Sequence, residues 1–448
     1  MTDQLSIGRE IRRTLLLAGP LVGGQLAGTG LNFIDTVMAG KIDAIALAAV
    51  AIGGSVWVAI SLFVTGVLMS LPPSVAQLDG AGRRDEIGPL ARQAFWIWLG
   101  VSIVGCGSAL LAGPVLEFVR VEPEIIPVAV AYVKALMWGM PALFAFLVLR
   151  FVSEGLGITR PALYFALLAL PVNVFANWVL MFGELGFPAL GAVGCGHATS
   201  LVWWTQFIGL AIYVARHKEL RKLGLYRRPD PPDGRVLGDL LHTGLPIGFT
   251  LFIEGSLFVI VALFIGSLGT SVVAAHQIAI NFVAFTFMVP LGISMAITVR
   301  VANAIGRGDP EAVRSAAWVG MGVVMAVQVI WAVVMVVFPR LVVRIYTDDA
   351  EVIALAVQLI FLAAIFQLSD GLQVSAAAAL RGLKDTRVVL TITVVAYWLL
   401  GLPMGYYLGF TRELGARGMW MGLIGGLTVA AVLLLWRFRT QLRHPAPV

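Results

Sequence analysis

Three acidic side chains lie deep inside apolar stretches of the chain. Asp35 follows Leu-Asn-Phe-Ile, Glu254 follows Thr-Leu-Phe-Ile, and Asp370 follows Phe-Gln-Leu-Ser. An ionised carboxylate at the centre of a bilayer costs about 3 kcal/mol on insertion scales. The plain interpretation is a protonated or hydrogen-bonded group that only joins helices. The functional interpretation, which we favour, is a cation or proton site that faces a hydrated cavity.

The depth of each acid follows from the helical rise of about 1.5 Å per residue. Glu254 precedes Gly266, at the outer end of its span, by 12 residues or about 18 Å. Asp370 precedes Arg381, on the inner side, by 11 residues or about 16 Å. Both acids are therefore expected near mid-membrane, where two neighbouring carboxylates cannot both ionise easily and should take up a proton or a monovalent cation. Asp35 lies five residues before Gly40, in the outer part of the first span.

The composition requires these acids to be carried by membrane-spanning helices. Of the 448 residues, 59% are hydrophobic and 12% are charged, and the mean hydropathy is +0.92. A soluble domain has about twice that charged fraction. An ordinary soluble enzyme, a disordered chain and a disulfide scaffold are thus excluded, and Cys106 and Cys195 are interpreted as buried thiols.

Apolar stretches long enough to cross a bilayer recur along the whole chain, which predicts an all-α polytopic membrane protein. The twelve predicted spans are 13–39, 46–72, 91–119, 125–150, 161–182, 190–215, 239–266, 272–302, 312–338, 351–377, 388–409 and 416–436.

The basic residues orient these spans. The placement puts 24 of the 31 Lys and Arg residues on one side, together with both termini and the polar stretch between spans six and seven. The positive-inside rule predicts that this side is cytoplasmic. The net charge of +6 is thus explained by topology, and no nucleic-acid partner is expected.

An internal repeat divides the chain into halves. Gly80 and Gly82 match Gly306 and Gly308 at an offset of 226, and Gly-Leu-x-x-Thr-Arg recurs at 155–160 and 382–387. An offset of six spans predicts parallel repeats with a cavity at their interface and alternating access. The predicted organisation is an N-terminal lobe at 1–222, a linker at 223–238 and a C-terminal lobe at 239–448. A transporter is favoured over a channel or an enzyme.

Other polar and aromatic residues in the spans are weaker candidates. Asn173 and Asn177 are one helical turn apart and share a face. Aromatic rings near the acids could hold organic cations. Such residues often serve packing alone. The further candidates for a cavity are Gln277, Phe258, Phe287 and Phe366, and roles for His276 and Lys134 stay open.

The chain has no Gly-x-x-x-x-Gly-Lys-Ser/Thr phosphate loop, so transport is expected to use an ion gradient. No nucleophile elbow or metalloprotease spacing is present, and neither an enzyme activity nor a cofactor is expected.

Together these residues resemble the multidrug and toxic compound extrusion (MATE) family, in its bacterial NorM-type branch. The resemblance covers about residues 8 to 437. It depends on Asp35-Thr-Val-Met-Ala-Gly, Glu254-Gly, Ala275-His-Gln, Asp370-Gly-Leu-Gln and Arg381-Gly-Leu-Lys-Asp-Thr-Arg. It implies two six-helix bundles in a V, in a bacterial inner membrane. It also implies a monomer that exports cationic amphiphilic compounds in exchange for Na⁺ or H⁺.

The resemblance also assigns residues. Glu254 and Asp370 match the family's C-lobe cation site, a metal site if Na⁺ is the coupling ion. Asp35, Asn173 and Asn177 match its N-lobe polar site. The acids proposed to meet cationic substrates match Asp348 and Asp349. Where related transporters carry a tyrosine near the C-lobe acids, the expected positions here are Phe287 and Phe366, so Na⁺ and H⁺ both stay open.

Two other classes of transporter compete with this interpretation. A lipid-linked precursor flippase of the same superfamily would use a similar cavity, but such flippases usually have more spans and a cationic cavity. A major-facilitator transporter is also built from six plus six spans, and Gly80-Ala-Gly-Arg-Arg faintly resembles one of its loops. The deep charges here are acidic, which favours cationic substrates.

Overall fold

The computed structural model describes residues 7–227 and 230–443, and within these ranges it contains helices and turns but no strand. The predicted all-α fold class is confirmed. Arg228 and Pro229, which belong to the predicted linker, lie outside the described residues.

Residues 7–222 form ten helices and one 3₁₀ turn, at Arg84–Glu86, before the predicted linker. The helices are α1 (Ile7–Gly40), α2 (Ala44–Leu68), α3 (Leu71–Gly80), α4 (Ile87–Leu110), α5 (Ala112–Phe118), α6 (Ile126–Met137), α7 (Met140–Gly155), α8 (Arg160–Phe182), α9 (Gly191–Arg216) and α10 (Lys218–Lys222).

Eight helices follow in the described range 230–443, and two π-helical segments, Val394–Gly401 and Tyr407–Thr411, continue the penultimate span. The helices are α11 (Gly234–Gly266), α12 (Thr270–Gly306), α13 (Pro310–Val337), α14 (Pro339–Arg344), α15 (Ala350–Gly382), α16 (Thr386–Thr393), α17 (Leu402–Tyr406) and α18 (Ala416–Arg443).

Among the described residues, eleven helical stretches are long and apolar enough to cross a membrane. The number is twelve if α6 and α7, which are bent by 46°, form one span. The predicted fourth span, 125–150, covers this pair. The break precedes Pro141, which lacks a backbone N–H and whose ring would clash with a carbonyl one turn earlier.

Several helices extend beyond the predicted spans. The first begins at Ile7 rather than 13, the seventh span at Gly234 rather than 239, and the last ends at Arg443 rather than 436. Hydropathy identifies only the apolar part of a helix, which lies in the hydrocarbon. The backbone hydrogen bonds of the helix continue into the polar turns at each end, so the helix is longer than the apolar stretch.

The described residues form two compact units. One, the N-terminal unit, comprises Gly23–Gly248; the other, the C-terminal unit, comprises the residues up to Val22 and those from Phe249 onwards. The limits of these packing units fall inside α1 and α11. The predicted lobe boundaries at the linker stay a prediction.

The internal repeat is visible as one helix crossing in each unit. In the N-terminal unit Gly66 lies against Gly248, and a Cβ atom built on Gly66 would be 2.4 Å from the Gly248 Cα atom. In the C-terminal unit a Cβ atom on Gly292 would be 2.7 Å from the backbone nitrogen of Val22. Both pairs are related by the offset of 226. Small residues let the backbones approach at such crossings.

The predicted linker is attached to α4. Arg92 forms an ion pair with Asp230 at 2.8 Å, and the Trp96 indole donates to the Asp230 carbonyl at 3.0 Å. The Gln93 amide donates to the Pro231 carbonyl and accepts from the backbone N–H of Asp233. These contacts give the linker a defined position on the N-terminal unit.

The Gly66 crossing provides a test of the packing. We expect Gly66→Ala to destabilise the protein by about 1–3 kcal/mol, because a methyl group would overlap the backbone of α11. Gly54→Ala on the same helix is the control, since its Cβ atom would meet nothing within 4 Å. Thermal unfolding in detergent should show a lower midpoint for the first variant only. Equal midpoints would contradict the crossing.

Candidate functional site

The first candidate site, the Asp35 site, joins α1, α8 and α9. Asn173 and Asn177 on α8 donate to Asp35 Oδ1 at 3.0 and 2.7 Å. Thr199 on α9 donates to Asp35 Oδ2 at 2.9 Å. The structure thus brings together the three residues predicted for the N-lobe polar site and adds a threonine.

The Asp35 site is almost closed to solvent. Asp35 is 5% exposed, and Asn173 and Asn177 are 1% and 0% exposed. All three donors are neutral, so hydrogen bonds rather than a counter-charge stabilise the ionised carboxylate. Asn177 Oδ1 is buried and accepts no hydrogen bond from the described residues. Rotation of that amide would offer an acceptor to a protonated Asp35, so the site can accommodate either protonation state.

The second candidate site is the acid cluster, which we define as Glu254, Asp370, Gln373, Arg381 and Tyr397. Gln373 Nε2 donates to Glu254 Oε1 at 2.9 Å, which joins α15 to α11. Asp370 precedes Gln373 by three residues and so shares its face of α15. Asp370 and Glu254 interact electrostatically. The sequence-predicted acids of the C-terminal half are therefore neighbours.

Arg381 brings a positive charge to this cluster. It follows Asp370 by 11 residues, three helical turns, and so lies on the same face of α15. The side chain of a helical residue leans toward the helix N-terminus, which directs the guanidinium toward the level of Gln373. Arg381 is 4% exposed, interacts electrostatically with Glu254, and has an Nε atom that finds no partner among the described residues.

Tyr397 completes the acid cluster from the π-helical segment that follows α16. It is 3% exposed and interacts electrostatically with Glu254, Asp370 and Arg381. From the family resemblance, Phe287 and Phe366 were expected at the positions of a tyrosine near these acids. The structure instead brings the Tyr397 phenol to the acids, from the segment Val394–Gly401.

With both acids ionised, the acid cluster carries a net charge of −1. Its two carboxylates are balanced by a single guanidinium, and Gln373 and the Tyr397 phenol are neutral in their ordinary states. One proton or one monovalent cation would neutralise it. Among the described residues there is no group of three or more His, Cys, Asp or Glu that could hold a metal ion.

Buried amides fix α15 beside the acid cluster. The Gln367 amide donates to the Thr286 hydroxyl on α12, and Gln328 on α13 donates to the Gln367 carbonyl at 2.8 Å. Gln328 and Gln367 are 0% and 1% exposed. These contacts join three helices one turn from Asp370 and hold its backbone in place.

Two of the three predicted aromatic residues pack together. The rings of Phe258 and Phe366 are 6.2 Å apart, and those of Phe366 and Trp420 are 5.6 Å apart. The Trp420 indole donates to His276 Nδ1 at 3.2 Å, which gives that histidine a structural partner. Phe287 is half-buried on α12.

The other predicted residues are exposed or have a local structural role. Gln277 is exposed on α12, and Lys134 is exposed on α6. Asp349 caps α15 by accepting from the backbone N–H groups of Glu351 and Val352, while Asp348 is exposed beside it. The cap gives Asp349 a structural role in addition to its predicted one.

Four site residues were missed by the sequence analysis. Arg381 was assigned to the inner basic side, although its spacing of 11 from Asp370 places both on one face. Gln373 ends the Asp370-Gly-Leu-Gln motif, but no role of its own was predicted for it. For Thr199 and Tyr397 the sequence contains no signal, because both types are ordinary in membrane helices and their position depends on packing.

The comparisons with known proteins show the family of the chain. The MatE family profile matches residues 20–179 and 246–407, which is more than half of the chain. The chain belongs to the MatE family. The membership expected from the motifs around Asp35, Glu254 and Asp370 is thereby confirmed.

Relatives of this MatE protein match it over nearly its whole length. The Probable multidrug resistance protein NorM of Xanthomonas campestris is 44% identical over 435 residues, 97% of this chain and 95% of that protein. The Multidrug resistance protein PmpM of Pseudomonas aeruginosa is 42% identical over 446 residues, 98% and 93% of the two chains. The MATE transporter VcmN of Vibrio cholerae, in its bent form, has a similar fold, with a TM-score of 0.88 at 19% identity over 98% of each chain.

The Asp35 site predicts a difference between two threonines of α9. We expect Thr199→Val to destabilise the MatE protein by about 1.5–3 kcal/mol, because a buried carboxylate loses a charge-assisted hydrogen bond. Thr205→Val is the control, since among the described residues that hydroxyl donates to the Leu201 carbonyl of its own helix. Thermal unfolding in detergent measures both. If the two variants unfold at the same temperature, Thr199 does not hold Asp35.

Proposed function

We propose that this MatE protein is a secondary active multidrug exporter, which exchanges cationic amphiphilic compounds for Na⁺ or H⁺ by alternating access. The observation that carries the proposal is the acid cluster with its net charge of −1. A buried unpaired charge is costly, so the cluster favours a state in which one positive charge occupies it.

Exchange follows if the coupling ion and the cationic compound compete to neutralise the negative charge of the acid cluster. A ligand shifts a conformational equilibrium only through a difference in its affinity for the two states. If the coupling ion and the cationic compound neutralise the protein in turn, each promotes the release of the other. Glu254 and Asp370 would then bind the coupling ion, and Arg381 would set the amount of charge that they take up.

The Asp35 site supports a second single-charge step. Its carboxylate is surrounded by neutral donors and has an amide that can reverse. The proposed roles of the remaining candidates are accessory: Asn173, Asn177, Gln277, Phe258, Phe287 and Phe366 for the cavity, and Asp348 and Asp349 for the approach of cationic compounds.

The family and the names of its members support transport rather than an enzyme activity. The relatives are named multidrug resistance proteins. The described residues of this chain include eleven helical stretches that are long and apolar enough to cross a membrane. We further propose a bacterial inner-membrane location with both termini in the cytoplasm, because the basic residues are concentrated on that side. We also propose that the protein works as a monomer and needs no cofactor.

Transport in proteoliposomes tests the proposal. A fluorescent organic cation should move against its gradient when a Na⁺ or a H⁺ gradient is imposed, and the ion that drives it identifies the coupling. Transport of an anionic lipid-linked precursor analogue with no movement of the cation would instead favour the flippase alternative. Drive by neither gradient would contradict ion exchange.

Replacing either acid of the cluster should abolish transport while leaving expression of the protein unchanged. We expect Glu254→Gln and Asp370→Asn each to lower cation efflux at least tenfold, because the acid cluster then no longer requires a balancing charge. Glu117→Gln is the control, since that glutamate is exposed on α5. Efflux is compared at equal expression and equal thermal stability. Normal efflux in both cluster variants would exclude the acids as the coupling site.

Removal of Arg381 should strengthen binding of the coupling ion, because Arg381 is the positive charge that competes with that ion. In an effective dielectric constant of about 20, the interaction of a buried unit charge with a neighbouring one is on the order of 2 kcal/mol. Its removal in Arg381→Gln should therefore tighten binding of the coupling ion roughly 30-fold while slowing efflux. The exposed Arg387→Gln is the control. Calorimetric titration of the ion and efflux of the organic cation measure the two effects, and weaker ion binding would show that Arg381 acts only in packing.

A further inference from the structure

A groove in the N-terminal unit shares no lining residue with either candidate site. It has a volume of about 230 Å³ and lies among α4, α7, α9 and the linker. Its lining is mostly apolar and aromatic, with Phe95, Trp98 and Phe207 among the residues. We refer to it as the linker groove.

The linker groove is polar at one end and apolar at the other. Leu225, Tyr226 and Arg227 of the linker form one end together with Arg92. From there the α4 lining continues from Ala91 to Trp98, which is about 10 Å along the helix axis. Since the linker lies outside the apolar span, the groove runs from the membrane surface into the hydrocarbon.

The polar end carries positive charge. Arg227 is exposed there, while Arg92 is paired with Asp230 and also donates to the Gly224 carbonyl at 3.1 Å. Two arginines and one aspartate leave a net charge of +1. Burial raises the pKa of Tyr226 to about 12, so its phenol stays neutral and does not repel an anion.

The groove is pre-formed because its walls are held in place. The Tyr226 hydroxyl donates to the Ala211 carbonyl at 2.7 Å, and the Trp98 indole donates to the Pro141 carbonyl at 2.8 Å. The contacts of Arg92 and Trp96 with Asp230 fix the linker above it. A pre-formed apolar groove loses little conformational freedom when an occupant binds.

We propose that the linker groove binds an anionic phospholipid of the surrounding bilayer. The headgroup phosphate lies against Arg227 and the acyl chain runs past Phe95 toward Trp98. A lipid in the leaflet on the linker side has its headgroup at the membrane surface and its acyl chains in the hydrocarbon, which matches the polar and apolar ends of the groove. Basic pockets between helices at the membrane surface bind anionic headgroups. The positive end disfavours organic cations, which separates this site from the acid cluster.

Native mass spectrometry on delipidated protein tests the proposal. Phosphatidylglycerol should bind at an at least tenfold lower concentration than phosphatidylcholine. Arg227→Gln should remove that preference, and Ala145→Phe, which fills the groove, should weaken binding of both lipids. The controls are Arg221→Gln, at an exposed position before the linker, and Ala51→Phe, at an exposed position on α2.

The arms of the experiment give distinct results. Glycerol phosphate, the headgroup without acyl chains, should not compete at equal concentration, and full competition would show an anion site rather than a lipid site. If Ala145→Phe fails to fold, the surface variant Arg227→Gln decides alone. Equal phosphatidylglycerol binding by Arg227→Gln and Arg221→Gln would overturn the proposal.

Discussion

The cost of isolating a carboxylate from water is the constraint on which the candidate sites depend. Inside a helix bundle an ionised acid needs hydrogen-bond donors or a counter-charge, since the hydrocarbon supplies neither. The N-terminal unit meets this need with three neutral donors around Asp35. The C-terminal unit meets it with one amide and one guanidinium for two acids, which leaves a single negative charge to be balanced.

The internal repeat shows how these two solutions differ. At an offset of 227, Arg381 matches Glu154, so equivalent turns carry opposite charges. Glu154 is 1% exposed and forms a 2.6 Å ion pair with Arg150, one turn earlier on its own helix. That pair is closed and neutral. Arg381 instead interacts with an acid on another helix, so the same backbone position serves packing in one unit and charge balance in the other.

The sequence alone predicts the fold well and the candidate sites in part. Long apolar stretches define the spans, and acids or asparagines within them are conspicuous, so Asp35, Glu254 and Asn173 can be found. The residues that contact them cannot be found in this way. Thr199 and Tyr397 are ordinary residues in membrane helices, and their neighbours depend on how α9 and the segment after α16 pack. The break between α6 and α7 and the attachment of the linker to α4 likewise depend on tertiary contacts rather than hydropathy.

The helix crossings at Gly66 and Gly292 have a consequence for biosynthesis. The N-terminal unit includes the first part of α11, so it cannot be complete when only its first six spans have been made. The start of α1 has its partners in the C-terminal unit, where Glu10 and Thr14 contact Arg300. Because α1 is made before α12, its start waits for α12, and the order of insertion into the membrane differs from the order in which the units close.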